Sequence, residues 1–194
     1  MSTRLAGIVP ANLTKKQAEL YDAIAGGPRS VGPQAFPLVD DQGVLRGPFN
    51  AMLLSPPMGL ALQAVGVAIR YRSVLSPRAR EMAILAVASH WGSAFEPEAH
   101  EPVARALGVT EAELRAIHEG NEPELTDPEE RTALRAAFAL ARTGNLSDSA
   151  YREAVAVLGE RALFDLTTLV GYYATLAMQL RVFAGESPEC GVAQ

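Results

Sequence analysis

Four residues whose side chains can hydrogen-bond or transfer protons lie close together in the sequence, at Glu81, Ser93, Glu96 and His100. Ser93, Glu96 and His100 are three and four residues apart, a spacing that places side chains on one face of an α-helix. Glu81 belongs to the preceding apolar segment and would reach that face across a helix–helix contact. A half-buried Glu–His pair can act as general acid and base near neutral pH. The spacing therefore predicts proton-transfer chemistry in this segment.

Each of these residues also has a purely structural interpretation. Ser93 to Glu96 matches the S-x-x-E capping box, so Ser93 could simply begin a helix. Glu96 and His100 could form an ion pair on a helix surface, one turn apart. Pro102 removes a backbone hydrogen bond two residues after His100 and is expected to bend the helix, which favours a functional site there.

The other two histidines are interpreted as structural. His90 stands at a helix end, where a positive charge suits the helix dipole, and His118 lies in a polar helix end. A metal site formed by Glu81, Glu96 and His100 is conceivable, but no pair of histidines has metal-binding spacing, and we predict no metal. The sequence contains no P-loop, GxGxxG or GxSxG motif.

The elements that must position these residues are all predicted to be helices. Ser76-Pro77 begins a helix that runs to about Trp91, where Gly92 ends it, and the next helix runs from Ser93. Further helices, several with N-terminal caps, are predicted at 14–24, 58–71, 110–119, 127–144, 147–158 and 160–183. The pattern predicts an all-α fold of seven or eight helices joined by short loops.

The helix at 160–183 is apolar around nearly its whole circumference. At this length a membrane span has to be considered, but Arg161, Asp165, Gln179 and Arg181 leave the uncharged run near the minimum length. We therefore expect a helix buried between subunits rather than a membrane segment.

The chain divides into three predicted parts. Residues 1–47 form an irregular arm with one short helix, because Gly and Pro are frequent from residue 26 to residue 48. Within the arm, residues 38–45 could form a small hairpin. An arm of this length is expected to lie over the domain or over a neighbouring subunit. Residues 48–185 form a single helical domain, and residues 186–194 form a tail.

The overall composition is that of a soluble globular protein. The chain has 194 residues, of which 48% are hydrophobic and 20% charged, enough for a sizeable core. The net charge of −5 argues against nucleic acid or an anionic membrane as partner. The single cysteine, Cys190, excludes an intramolecular disulfide and a CxxC redox pair. Together with the absence of a signal-peptide pattern, this predicts a cytoplasmic protein.

The order and spacing of the proton-transfer residues resemble the sequence pattern of a known family. Glu81 lies near the start of an Ala-rich helix, Glu96 follows fifteen residues later, His100 comes four after that, and ALGVTEAEL follows at 106–114. This order resembles the carboxymuconolactone decarboxylase family, whose superfamily also contains alkylhydroperoxidase D. The similarity covers residues 49–183. It implies an alkylhydroperoxidase D-like helical bundle that assembles as a homotrimer or homohexamer, with its site near a subunit interface.

The resemblance points to the branch without a CxxC motif. In the peroxidase branch a Glu, a CxxC and a His form a proton relay, and the matching positions here are Glu81, Ser93, Glu96 and His100. Both thiols are absent, so the disulfide chemistry of that branch does not carry over.

What remains by resemblance is a cofactor-free reaction, in which a γ-carboxymuconolactone loses carbon dioxide and a proton returns to carbon. His100 would donate that proton. Glu96 would orient the His100 ring or set its protonation state, and Glu81 would hold Glu96 and His100 in place. Arg72 is the nearest free cation for a substrate carboxylate.

Five further residues are predicted to bind the substrate. Phe49, Asn50 and Met52 would form a wall of the pocket, with Asn50 hydrogen-bonding a lactone carbonyl. Ser93, at a helix start that suits an anion, and Trp91 beside the Glu–His pair would complete it. Two alternatives stay open at this point: a non-catalytic oligomeric small-molecule-binding protein of the same fold, and a peroxidase-related protein that lacks the CxxC.

Overall fold

The computed structural model describes residues 4–27 and 36–184. Within these ranges the chain forms nine α-helices and no strand longer than a single bridge. They are α1 (Lys15–Ala25), α2 (Pro48–Met52), α3 (Pro56–Arg72), α4 (Pro77–Trp91), α5 (Phe95–Ala106), α6 (Glu111–His118), α7 (Pro128–Thr143), α8 (Asp148–Leu158) and α9 (Glu160–Gln179). The predicted all-α fold is confirmed; α2, a short segment for which no helix was predicted, brings the number of helices in the described residues to nine.

Helix α4 forms the centre of the bundle and packs against α7, α9 and α5. Its start is fixed by Ser76, whose hydroxyl accepts a hydrogen bond from the Ala79 amide, and by Pro77 at the first helical position. Every residue from Glu81 to Ala88 is buried. The many alanines in this run let neighbouring helices approach closely, so a helix with little polar surface is surrounded on most sides.

The end of α4 corrects the prediction made for Ser93. Gly92 adopts a left-handed conformation with φ 61°, and the Ser93 amide donates to the Ala88 carbonyl at 3.0 Å. This is a Schellman motif, which closes α4. Helix α5 then begins at Phe95 without a side-chain cap. The capping box predicted for Ser93 and Glu96 is therefore wrong, because the Ser93 backbone completes the preceding helix.

The N-terminal arm lies against the helical domain. Its helix α1 has a full capping box between Thr14 and Gln17. The hairpin predicted at 38–45 is reduced to one antiparallel bridge between Val39 and Leu45, around a turn in which the Asp40 carboxylate accepts two backbone hydrogen bonds. The tail predicted at 186–194 lies outside the described residues.

Helix α9 continues as a short π-helix, Leu180–Ala184, so the regular α-helix ends four residues earlier than predicted. One face of α9, including Leu166, Leu169 and Tyr173, is buried, whereas Phe164 on another face is 71% exposed. No helix in the described part of the chain is long and apolar enough to cross a bilayer.

Candidate functional site

Three of the predicted residues meet between α4 and α5. Nδ1 of His100 lies 2.7 Å from Oε2 of Glu81, and its Nε2 lies 3.4 Å from Oε2 of Glu96. Glu96 and His100 are one turn apart on α5, and Glu81 reaches them from α4 across the helix contact. The imidazole is therefore placed between two carboxylates, one held tightly at Nδ1 and one held loosely at Nε2. We call these residues the Glu–His–Glu triad.

The triad is buried. Glu81 and Glu96 are each 2% exposed and His100 is 7% exposed. Charged side chains are rarely removed from water to this extent unless they are paired, because an unpaired buried charge costs several kcal/mol. The arrangement satisfies that condition only if His100 carries a positive charge.

The protonation states follow from burial and pairing. Burial alone would lower the pKa of His100, but its hydrogen bonds to Glu81 and Glu96 and their negative charges outweigh burial and raise the pKa to about 9. Burial alone would raise the pKa of Glu81, but the hydrogen bond from His100 and the charges of His100, Arg80 and Arg70 lower it. At neutral pH the site therefore holds an imidazolium, which is a proton donor.

A fourth residue of the site, Tyr173 on α9, was not among the predicted site residues. Its hydroxyl lies 3.4 Å from Nε2 of His100, and the two rings meet edge to face with centroids 5.4 Å apart. Tyr172 packs on Tyr173 in the same way. The indication in the sequence was a pair of tyrosines on an apolar helix, because a buried tyrosine hydroxyl normally needs a polar partner.

Ser93 and Trp91 lie in the same region, at the end of α4. Among the described residues, Ser93 Oγ, Trp91 Nε1 and Glu96 Oε1 are buried and have no hydrogen-bond partner. Buried polar atoms without partners are uncommon and costly, and they are found where a ligand or water completes the bonds. Each of these two predicted residues thus has a buried polar atom without a hydrogen-bond partner among the described residues.

The predicted wall of the pocket is placed differently. Phe49 and Met52 are buried in the hydrophobic core. The Asn50 side chain accepts a hydrogen bond from the Ile8 amide at 3.0 Å and donates one to the Ala6 carbonyl at 3.3 Å. Asn50 therefore fastens the N-terminal segment to α2, and both ends of its amide are engaged.

Arg72, the cation predicted to meet a substrate carboxylate, lies at another cavity. Arg72 lines a separate cavity with Phe164 and Asp165 at the end of α3. The cations whose charge acts on Glu81 are Arg80 and Arg70, and Arg80 Nε lies 3.4 Å from Oε1 of Glu81. In the part of the chain that the structure describes, no group of three or more His, Cys, Asp or Glu is arranged to hold a metal ion.

The raised pKa of His100 predicts how stability depends on pH. The unfolded chain binds this proton with the ordinary pKa of 6.5, so the contribution of His100 is complete below pH 6.5 and is lost as the pH rises through about 9. We expect the free energy of unfolding to fall by about 3 kcal/mol over that window. Because the pKa of Glu81 is lowered, its contribution is lost only in acid, below 4.5. Urea unfolding at a series of pH values measures both the alkaline loss of stability from His100 and the acid loss from Glu81.

The matched control for this measurement is His100→Asn, whose side-chain amide can keep the contact with Glu81 but does not titrate. The difference between the two proteins isolates His100, because all other titrating groups are shared. Equal slopes between pH 6.5 and 9 in both proteins would show that His100 is neutral in the folded state.

The carboxymuconolactone decarboxylase family matches residues 56–139 of this sequence, a range that contains the whole Glu–His–Glu triad. No curated protein matches the chain by sequence.

Several solved structures share the fold. A peroxidase-related protein from Ralstonia eutropha JMP134 with an alkylhydroperoxidase AhpD core has a TM-score of 0.71 at 13% identity, over 96% of this chain and 92% of that protein. The debrominase Bmp8, in a complex with 2,3,4-tribromopyrrole, has a TM-score of 0.67 at 14% identity, over 94% of this chain and 90% of the debrominase. A protein of unknown function from Agrobacterium tumefaciens has a TM-score of 0.62 at 19% identity, over 74% of this chain and 99% of that protein.

At these identities the structural likeness speaks for the fold alone. The family match is independent of it and covers α3 to most of α7, including the helices that carry the triad. The two findings agree: residues 56–139 match the carboxymuconolactone decarboxylase family, and the chain has an alkylhydroperoxidase D-like fold.

Proposed function

We propose that the protein is a cofactor-free lyase or isomerase that acts on a small carboxylated or enolisable lactone by acid–base chemistry. The observation that carries the proposal is the buried imidazolium of His100, which Glu81 holds firmly at Nδ1, while Glu96 and Tyr173 lie at a longer 3.4 Å from Nε2. The loosely held Nε2 proton is the one that can be given to a substrate.

In the proposed reaction the carbon–carbon bond to the substrate carboxylate breaks, carbon dioxide leaves, and the electron pair is delocalised as a dienolate. Nε2 of His100 then donates its proton to carbon, and solvent returns a proton to His100. The positive charge of His100, with Arg80 and Arg70 nearby, stabilises the anionic dienolate. For a substrate without a carboxylate, the same groups would move a proton between two carbons.

The other residues would position the reacting groups. Glu81 keeps the imidazole charged and fixes its orientation, and Glu96 and Tyr173 restrain the Nε2 side. Ser93 Oγ, Trp91 Nε1 and the free oxygen of Glu96 would bind polar atoms of the substrate. A small ring substrate agrees with the structural likeness to a debrominase that binds 2,3,4-tribromopyrrole.

A second candidate is a non-catalytic oligomeric protein of the same fold that binds a small molecule. It is favoured by the burial of the triad, because a proton donor that is only 7% exposed has little access to a substrate. A peroxidase-related role has less support, because a serine and a glutamate occupy the positions that the resemblance assigns to the two cysteines.

The proposal includes a homotrimer or homohexamer in the cytoplasm. The oligomeric assembly is supported by apolar side chains that face outward from α3 and α9, among them Met58 and Tyr71 on α3 and Phe164 and Met178 on α9. A surface of this kind is typical of subunit interfaces. The net charge of −5 gives no support to nucleic acid as a partner.

The test of the function is turnover of γ-carboxymuconolactone by the full-length protein, followed as carbon dioxide release and ultraviolet change. A second arm incubates neutral enolisable lactones in deuterium oxide and measures deuterium uptake at carbon. We expect turnover in one arm, unchanged in Cys190→Ser because no thiol takes part. No carbon dioxide and no deuterium uptake would favour the binding protein, and light scattering on the same sample measures the number of subunits.

A further inference from the structure

Arg80 lies beside the Glu–His–Glu triad and extends it by one charged group. Its Nε–H donates to Oε1 of Glu81 at 3.4 Å, while the other carboxylate oxygen, Oε2, lies 2.7 Å from Nδ1 of His100. One carboxylate therefore joins two cations, with one oxygen for each. The Arg80 side chain is 13% exposed and that of Glu81 is 3% exposed, so the contact is largely withdrawn from water.

The direction of the Arg80 side chain is unusual for its position in α4. Consecutive residues of an α-helix point to different sides, so Arg80 has to turn toward Glu81 to contact it. Its side chain forms no other hydrogen bond or ion pair with a described residue. Arg78, two residues earlier on the same helix, instead pairs with Glu113 on α6 and Glu130 on α7. Arg78 thus ties three helices together, whereas the partner found for Arg80 belongs to the triad.

The charges of the buried groups balance only when Arg80 is counted. Two carboxylates and one imidazolium leave the triad with one negative charge in excess. A guanidinium stays charged at every physiological pH, so Arg80 supplies the missing positive charge. A buried group of charges with an excess of one sign is costly, because attraction between unlike charges has to replace the lost contact with water.

The other polar groups around Glu81 do not take over this role. Arg70 comes from α3 and acts on Glu81 through its charge, but no ion pair or hydrogen bond is found between the two side chains. Helix α9 contributes the hydroxyl of Tyr173 rather than a cation. The carboxylates by which α6 and α7 form ion pairs with α4 are those bound to Arg78. Among the described residues, Arg80 is therefore the cation in direct contact with the outer oxygen of Glu81.

We propose that Arg80 is a positioning residue of the candidate site: it holds Oε1 of Glu81 and balances the charge of the triad, so that the triad carries one proton, on His100. The inference rests on the proposed function only for the use that the reaction makes of this proton. The number of protons is a property of the folded protein without substrate. When Arg80 loses its charge, the buried triad keeps an excess negative charge, and a second proton on one of its carboxylates relieves it.

The test counts the protons of the triad by nuclear magnetic resonance of the full-length protein, labelled with carbon-13 at the glutamate carboxyl groups. In Arg80→Gln the amide can still donate to Glu81 but carries no charge, whereas Arg80→Lys keeps the charge and loses the planar guanidinium. We expect the triad to bind one additional proton near neutral pH in Arg80→Gln, and no such titration in wild type or in Arg80→Lys. Arg105→Met is the matched control, because it removes a surface arginine whose ion pairs are with Glu101 and Glu111.

Urea unfolding gives a second count that does not depend on assigning signals. Arg80→Gln is expected to lose stability more steeply than wild type as the pH rises through the new titration, by one proton. The reason is that a carboxyl group with a raised pKa stabilises the folded state only on the acid side. The wild-type proton count in Arg80→Gln would overturn the proposal, and so would a second proton in Arg80→Lys, which retains the charge.

The reaction provides a separate measurement. With the lactone substrate, kcat of Arg80→Gln is expected to change with pH through the new titration, whereas kcat of wild type and of Arg80→Lys stays constant there. A purely structural role of Arg80 would lower stability without producing this pH dependence. Absence of turnover in every protein would contradict the proposed function and leave the proton count as it stands.

Discussion

Replacing His100 with asparagine is expected to lower turnover of the lactone substrate by about 100- to 10,000-fold, the usual contribution of a positioned general acid. The asparagine amide nitrogen can occupy the place of Nδ1 and donate to Glu81, so the buried carboxylate keeps a partner. It has no proton to give at the position of Nε2. The loss is expected in kcat with little change in KM, because the group acts in the transition state.

Two variants make this result specific. His118→Asn removes an exposed histidine whose side chain makes no contact with the triad, and we expect full activity. Tyr173→Phe removes the hydroxyl beside Nε2 but leaves the imidazolium in place, so a smaller loss is expected. Circular dichroism of each variant checks that it is folded. Turnover retained in His100→Asn would mean that the proton comes from another group.

Local spacing indicated that Glu96 and His100 share a helix face, but it did not by itself bring Glu81 to them. Glu96 and His100 are one helical turn apart, and only a short link around Gly92 joins α4 to α5. Helices joined by a short link often pack against each other, and the structure brings Glu81 of α4 to His100 of α5, as expected. The protonation of His100 was not predictable, because it depends on burial, which spacing does not determine.

Other features depend on contacts that are distant in the sequence. Tyr173 meets His100 across a separation of 73 residues, and nothing local indicates which face of α9 turns toward α5. The hydrogen bonds of Asn50 to the backbone of Ala6 and Ile8 could likewise not be predicted, because they depend on where the arm packs. The capping box at Ser93 was a local pattern that failed, because a second local pattern, the glycine end of α4, used the same backbone amide.

Replacing Glu81 with leucine is expected to lower the free energy of unfolding by about 3–5 kcal/mol at pH 6, the usual cost of removing one partner of a buried ion pair. Glu81 holds His100 by the shortest contact of the triad, 2.7 Å, and supplies the hydrogen bond that does most to raise its pKa. Without it, burial is opposed only by Glu96, so the pKa of His100 is expected to fall well below 9. Urea unfolding measures the first effect, and imidazole proton shifts in nuclear magnetic resonance spectra measure the second.

The double variant Glu81→Leu/His100→Leu separates pairing from packing. If the cost arises from an unpaired buried charge, the double variant removes that charge and is expected to be more stable than Glu81→Leu alone. Glu111→Gln is the matched control, since it breaks an ion pair with Arg105 on the surface and should leave the unfolding midpoint almost unchanged. A Glu81→Leu protein as stable as wild type, with the His100 pKa still near 9, would mean that Glu96 alone sustains the imidazolium. Glu96 would then be the residue that sets the proton on Nε2, and Glu81 would have no part in the chemistry.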